Sequence, residues 1–284
     1  MLKTLRFITS HPLTRDRPHA ALWRFAKWQV RSRLREEVIV DWIGDAKLAA
    51  RNGMTGATGN IYCGLHEFAD RAFVLHLLRP GDLFVDVGAN VGSYTVLASK
   101  VCGARTIAVE PDPGTMQALR RNIEINGIEH LVETHEAALG AEDGIARVTV
   151  GRDTTNRVLT GARATEATRE VRMTTLDTLV GDAQPALLKL DVEGFETEVL
   201  EGAAGTLAKP SLLAIETETD DVRGRDRLAS AGFGRAFYDP ASRCLAARPR
   251  AGEAANNALF VRSPEASRPR LARAPCRTVF DQLC

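Results

Sequence analysis

The sequence predicts an α/β fold, a single doubly wound domain built on a mainly parallel sheet. Three observations carry that prediction. Residues 83–87, LFVDV, form a short apolar run bounded by turn residues, the pattern of a buried parallel strand. Gly88-Ala89-Asn90-Val91-Gly92 follows at once, and the next stretch spaces Tyr94, Leu97 and Val101 as a helix does, with Ser93 as its expected N-cap. Similar runs recur downstream with an acid at the end of each: 106–109 before Glu110, 186–190 before Asp191 and 212–215 before Glu216.

The first run sets the chemistry. Gly88 and Gly92 let the backbone approach a ligand at the carboxyl end of a strand, where open α/β sheets bind. Glu110 stands 22 positions after Gly88, near the spacing at which an acid takes the ribose hydroxyls of a nucleoside. The glycines are spaced Gly88-x-x-x-Gly92, so the dinucleotide fingerprint G-x-G-x-x-G is absent, which disfavours an NAD-dependent oxidoreductase. Asp86 beside the turn would repel a phosphate and suits a cationic or zwitterionic ligand.

The elements follow in order. Residues 1–17 show no clear period and predict a weakly ordered start. From 18 to 37, Leu22, Phe25, Ala26 and Val30 lie at helical spacing with basic residues between them. Such a helix either packs on the domain or a partner copy, or lies on a membrane surface; the acid Glu36 favours packing. Residues 38–43 read as a strand or a helix continuation, and 51–67 as loop and short hairpin ahead of a helix at 68–78. Glu67 in that stretch either caps the helix or meets a ligand's amino group. A helix at 112–126 has Asp112 near its start and Gly127 just past its end. A third strand at 131–135 exits through Glu136 and Ala137. Strands at 146–150 and 169–174 flank a polar loop carrying Thr154, Thr155, Asn156, Arg157 and Arg163, a candidate acceptor contact. A helix at 195–207, one at 222–231 and an antiparallel pair at 233–238 and 258–261 complete the domain. The proline- and arginine-containing residues 263–284 predict a disordered tail, although 279–283 could dock.

The motifs LLRPGDLFVDVGANVGSYT, VEPDPGTMQALRRNIEING and LLKLDVEGFETEVLEGA, in this order, resemble the FkbM-type S-adenosylmethionine (SAM) methyltransferases over about residues 62–262. The resemblance implies the Rossmann-like seven-stranded sheet of class I methyltransferases over 51–262; the helical pattern before it is read as an N-terminal helical extension at 1–50. It implies SAM as cofactor, with Gly88, Asn90 and Gly92 at its methionine end, Asp86 and Glu67 near its positive charges, Glu110 on the ribose, and Asp112, Glu136 and Ala137 bordering the adenosine. It also implies that Asp191 and Glu193 face the methyl group. One of them, or Glu216, would then serve as general base for a hydroxyl. Glu193 and Glu196 could instead serve the dipole of the following helix, and an all-oxygen set of Asp191, Glu193 and Glu216 could hold magnesium; no metal is expected. The acceptor implied is a sugar, polysaccharide or secondary-metabolite hydroxyl. A non-catalytic SAM-fold binding module is the further alternative.

Composition agrees with these expectations. The chain has 284 residues, 44% hydrophobic and 26% charged, as one domain with short additions requires. A net charge of +1 provides no global field to recruit nucleic acid. Cys63, Cys102, Cys244, Cys276 and Cys284 are scattered without a C-x-x-C pair, so neither zinc nor a disulfide framework is expected. No apolar run approaches the roughly 20 residues needed to span a bilayer, and the charges of 15–35 interrupt any signal-peptide core. The expectation is a cytoplasmic protein.

Overall fold

The computed structural model describes residues 2–149, 158–159, 167–217, 221–248, 258–280 and 282–283. Eight strands form its central sheet: β1 Leu83–Val87, β2 Arg105–Val109, β3 Val132–His135, β4 Pro185–Leu190, β5 Ala214–Thr217, β6 Gly234–Asp239, β7 Cys244–Ala246 and β8 Ala258–Val261. Their order is β7-β6-β8-β5-β4-β1-β2-β3. Strands β1 to β5 pair in parallel, and β8 runs antiparallel between β5 and β6. The expected seven strands are there; β7 is an eighth, added at the edge by a hairpin from β6. The strand order reverses between β1 and β4, the switch point at which such sheets bind ligands.

Alternation along the strands builds the two layers. Leu83, Val85 and Val87 of β1 join Leu188, Leu190 and Ile215 in one core, against Val199, Leu200, Leu207 and Leu228. Phe84, Ala108, Leu187 and Ala214 face the other core with helix Phe68–Leu77 and helix Pro113–Asn126. Helix Pro113–Asn126 has the expected ends. Asp112 accepts the N–H of Thr115 at 2.9 Å, and Gly127 closes the helix in the left-handed conformation.

Several expectations are corrected. Residues 2–10 are not weakly ordered: Leu2–Ser10 is a helix whose Ile8 is buried with Ala21 and Trp28 of helix Pro18–Leu34. Of the two readings of 38–43 the strand is the one found: Val38–Asp41 pairs with Lys47–Ala50 in a hairpin whose Trp42, Ile43 and Leu48 enter the main core. The stretch read as loop and hairpin contains helix Thr55–Cys63, held because Ala57 and Ile61 are buried beside Trp28. The helix after β1 starts from Gly92 in left-handed geometry, with no side-chain cap, so Ser93 is its first residue and not its N-cap. The expected helix at 195–207 is broken into Glu196–Glu201 and Ala204–Ala208. A Cβ on Gly202, in the break, would lie 2.2 Å from the Gly140 carbonyl. The tail read as disordered forms helix Pro264–Ala272, capped by Ser263, with Leu271 inside the main core; Val279 docks there too, as expected for 279–283. A low apolar count did not prevent docking, because a few residues bury fully.

The expected strand pair beyond β3 is present as Gly144–Thr149 and Thr168–Thr174, antiparallel. Thr154, Thr155, Asn156, Arg157 and Arg163 lie outside the described residues.

Candidate active site

The carboxyl end of β1 is held by backbone. The N–H groups of Gly88 and Ala89 donate to the Val109 carbonyl of β2 at 2.9 and 3.0 Å, and Asp191 N–H donates to Val87 at 3.0 Å. The turn therefore sits flush between β2 and β4. Gly88 has φ +76°, and a Cβ there would lie 1.8 Å from the Asp191 carbonyl oxygen, so only glycine fits. Asn90 also adopts positive φ, +51°, and its side chain accepts Val91 N–H at 2.7 Å, tying the turn to itself. Asn122 braces the loop from below: its amide donates to the Val91 carbonyl at 2.8 Å while its oxygen accepts Ala49 N–H at 2.7 Å.

Glu110 lies at the end of β2 beside this loop, only 6% exposed. Its two oxygens accept the N–H groups of Asn90 and Asp112, each at 3.0 Å. Burial pushes its carboxyl up to about 7 against the pull of those two hydrogen bonds. A carboxylate offers about four acceptor positions, so two remain for a vicinal diol. Asp112 caps its helix, Glu136 is exposed with Arg120 at 3.7 Å, and Ala137 is buried just past β3. These residues rim the same strand ends.

The other side of β1 holds a layer of buried charge. In register, Asp86 of β1, Lys189 of β4 and Glu216 of β5 stand side by side. They share the face of Phe84, Leu187 and Ala214. Lys189 is 2% exposed, and its Nζ donates to Asp191 at 2.7 Å. Burial alone would lower its pKa; the carboxylates of Asp191, Asp86, Glu216 and Glu67 outweigh burial and raise it. Asp86, the acid read near the end of the strand beside the turn, is fully buried inside this layer. It accepts the Thr95 hydroxyl at 2.7 Å, and burial raises its pKa.

Tyr94 crosses this layer. Its hydroxyl donates to Glu67 at 2.8 Å and lies 3.1 Å from Glu216 Oε1. The Arg71 guanidinium packs over its ring at 3.9 Å, with Lys189 Nζ 4.8 Å from the same centroid. Glu67 makes no capping bond to helix Phe68–Leu77. Burial would raise its carboxyl, but Arg71, Lys189 and the Tyr94 hydroxyl hold it below the usual value. Asp70, one helical turn on, is raised well above the usual carboxyl range by burial and by the neighbouring Glu216 and Glu67.

Between β4 and the next helix, Glu193 takes φ +53° and Gly194 φ +93°. Burial, then Asp191 and Glu196, raise the Glu193 carboxyl, which stays partly exposed. Glu196 has a structural place: its Oε1 accepts the N–H groups of Val192 and Gly194 at 3.2 and 3.1 Å. Among the described residues, no group of three His, Cys, Asp or Glu is arranged to hold a metal.

Sequence reasoning missed Arg71, Tyr94 and Lys189. Lys189 left a signal, since a lysine inside the apolar run 186–190 must be paired when buried. Tyr94 left none, because it fits the helical period as any core aromatic would.

The strand order, the glycine turn and the strand-end carboxylate are those of the class I methyltransferase fold. The model of the Methyltransferase FkbM domain matches residues 86–233, just over half of the 284-residue chain, and the chain belongs to that family. It is similar to the 31-O-demethyl-FK506 methyltransferase FkbM of Streptomyces tacrolimicus, 31% identical over 174 residues, covering 58% of this chain and 65% of that protein. It is similar also to Methyltransferase 1 of Beauveria bassiana, 28% identical over 159 residues, covering 48% and 64%. The hexuronic acid methyltransferase AglP of Haloferax volcanii is 25% identical over 143 residues, covering 48% and 55%. The matches thus span less than two thirds of each relative's own length.

Proposed function

We propose that the chain transfers a methyl group from SAM to a hydroxyl oxygen of a sugar, polysaccharide or secondary metabolite. Family membership supports the reaction class, and the observation that carries the site is Glu110. It is buried beside the glycine turn, with two acceptor positions left for a ribose diol. When bound, SAM supplies an electrophilic methyl on a sulfonium. Gly88 and Gly92 admit its methionine end, and Asp112, Glu136 and Ala137 border its adenosine. The relatives named for FK506 O-methylation and for a hexuronic acid support an oxygen on a polyhydroxylated acceptor.

The remaining task is proton removal from the acceptor hydroxyl, and Glu193 suits it best. Its carboxyl is raised by burial, Asp191 and Glu196, and it stays partly exposed on a strained turn. Asp191 is held by Lys189, and Glu216 by the Tyr94 layer, so both serve to position and balance the site. Glu193 would take the proton of the acceptor hydroxyl, freeing its oxygen for the methyl group that bound SAM would supply.

Titration calorimetry with S-adenosylhomocysteine on wild type and Glu110→Ala tests the donor half. Micromolar binding that the variant loses is expected; a folded wild type that does not bind overturns the reading. Transfer of labelled methyl from SAM to a panel of sugars and metabolites tests the acceptor half. There Glu193→Gln lowers kcat by about 100-fold or more at unchanged S-adenosylhomocysteine affinity.

A further inference from the structure

The chain's near-neutral total hides a strong asymmetry. Residues 1–35 hold nine Lys and Arg against one Asp, a net +8 in a chain of +1, so the remainder carries −7. Helix Pro18–Leu34 contains no acid at all. It buries Ala21 and Trp28 against the core and turns Trp23, Lys27, Val30 and Leu34 outward. Those four positions, spaced i, i+4, i+7 and i+11, form one stripe. Trp23 is 69% exposed and Leu34 78%. Among the described residues, four of the seven large exposed hydrophobic side chains, Leu2, Trp23, Val30 and Leu34, lie in this segment, and a fifth, Ile39, lies just beyond it.

A cavity of about 320 Å³ opens beside the stripe. Trp28, Val40, Ile61 and Phe280 supply apolar wall, and Arg24, Lys27 and Arg31 supply charge. Asp41 is the one acid that lines it. Apolar side chains with cations around them and a cationic cavity alongside match a headgroup region, where acyl surface and phosphate lie within a few ångströms of each other.

We propose that helices Leu2–Ser10 and Pro18–Leu34 dock the protein on an anionic lipid bilayer, with Trp23, Val30 and Leu34 entering the interface and Lys27 and Arg31 receiving lipid phosphate at the cavity, while Arg24 holds its wall by donating to the Tyr62 carbonyl and stacking on Phe280. Nucleic acid would use the charge but leave the exposed tryptophan and leucine in water, so the bilayer is the better complement. The packing of Trp28 and Ala21 fixes the stripe outward before any membrane is met.

The test uses the full chain with vesicles of phosphatidylcholine containing phosphatidylglycerol, and with phosphatidylcholine alone. Trp28 and Trp42 are buried, and Trp28 also lines the cavity, so the part of the change in tryptophan emission that Trp23→Ala removes is the part that reports Trp23. The expected result is co-sedimentation with the anionic vesicles only, a blue shift, and release as salt rises. Lys27→Glu with Arg31→Glu weakens binding by about tenfold or more. Trp23→Ala removes the blue shift and weakens binding several-fold, keeping the salt dependence. Both changes lie on exposed or partly exposed positions, and an unchanged melting temperature confirms the fold. The proposal is overturned by equal binding to both vesicles, by no binding to the anionic ones, or by charge reversal without effect. It is also overturned by tighter binding to RNA, or by a dimer that Trp23→Ala converts to monomer. None of these readouts depends on methyl transfer.

Discussion

The two sides of β1 solve the same problem with different materials. Toward β2 the site is made of backbone: the Gly88 turn, the Val109 carbonyl and two N–H groups on Glu110. Toward β4 and β5 it is made of side chains: Asp86, Lys189 and Glu216 in register, with Arg71, Glu67 and Tyr94 closing over them. A backbone site is specified by local conformation. A side-chain layer holds only if every charge keeps its partner, so the two sides should fail in different ways.

The largest effect is expected at Lys189. Lys189→Met leaves Asp86, Asp191 and Glu216 without their shared cation and should cost about 3–5 kcal/mol. Urea denaturation would measure this, and a loss under about 1 kcal/mol would mean the carboxyls simply take up protons. Gly88→Ala comes next, at on the order of 3 kcal/mol, from positive φ and the collision with Asp191. It should abolish S-adenosylhomocysteine binding even where the chain still folds; intact binding would show that the turn can move away from β4.

A smaller effect separates the sides by pH. The Glu110 carboxyl is raised from 4.5 to about 7, so the fold favours its protonated form. Its contribution to unliganded stability is therefore greatest below 4.5 and declines as pH rises to about 7. A ribose diol needs the ionised form, so cofactor affinity should move the opposite way, weakening about tenfold between pH 8 and 6. Calorimetry across that range on wild type and Glu110→Gln decides it; a flat wild-type profile would remove Glu110 from the ribose. The smallest effect belongs to Tyr94→Phe, which deletes one hydroxyl shared by Glu67 and Glu216 and should cost about 1–2 kcal/mol. Unchanged thermal stability would show that Arg71 stacking, and not the hydroxyl, secures the layer.

Asp112 and Gly127 mark their helix correctly in the sequence, because caps act on groups three or four residues away. Glu110 was legible for the same reason: it ends a run and follows a glycine turn at a set distance. The helix Thr55–Cys63 and the folded residues 264–272 were not legible. Their own composition favours loop, and they are held by contacts with Trp28 and with the main core. Asp86 was found in the sequence, but its partners were not. Period-two alternation sends it to the face of Phe84, yet only the neighbouring strands show that this face carries Lys189.

The sequence alone determined the α/β class, the order of the parallel strands' motifs, the glycine turn, the Glu110 position and the basic character of helix Pro18–Leu34. Each depends on residues close together in the chain, whose sterics and periodicity act locally. The tertiary structure decided which charges meet, that Lys189 binds Asp191, that Tyr94 joins Glu67 to Glu216, and that Trp23 faces outward while Trp28 is buried. Glu67 and Glu216 are 149 positions apart, and only the packing of helices Phe68–Leu77 and Ser93–Val96 on the sheet brings them within reach of one hydroxyl.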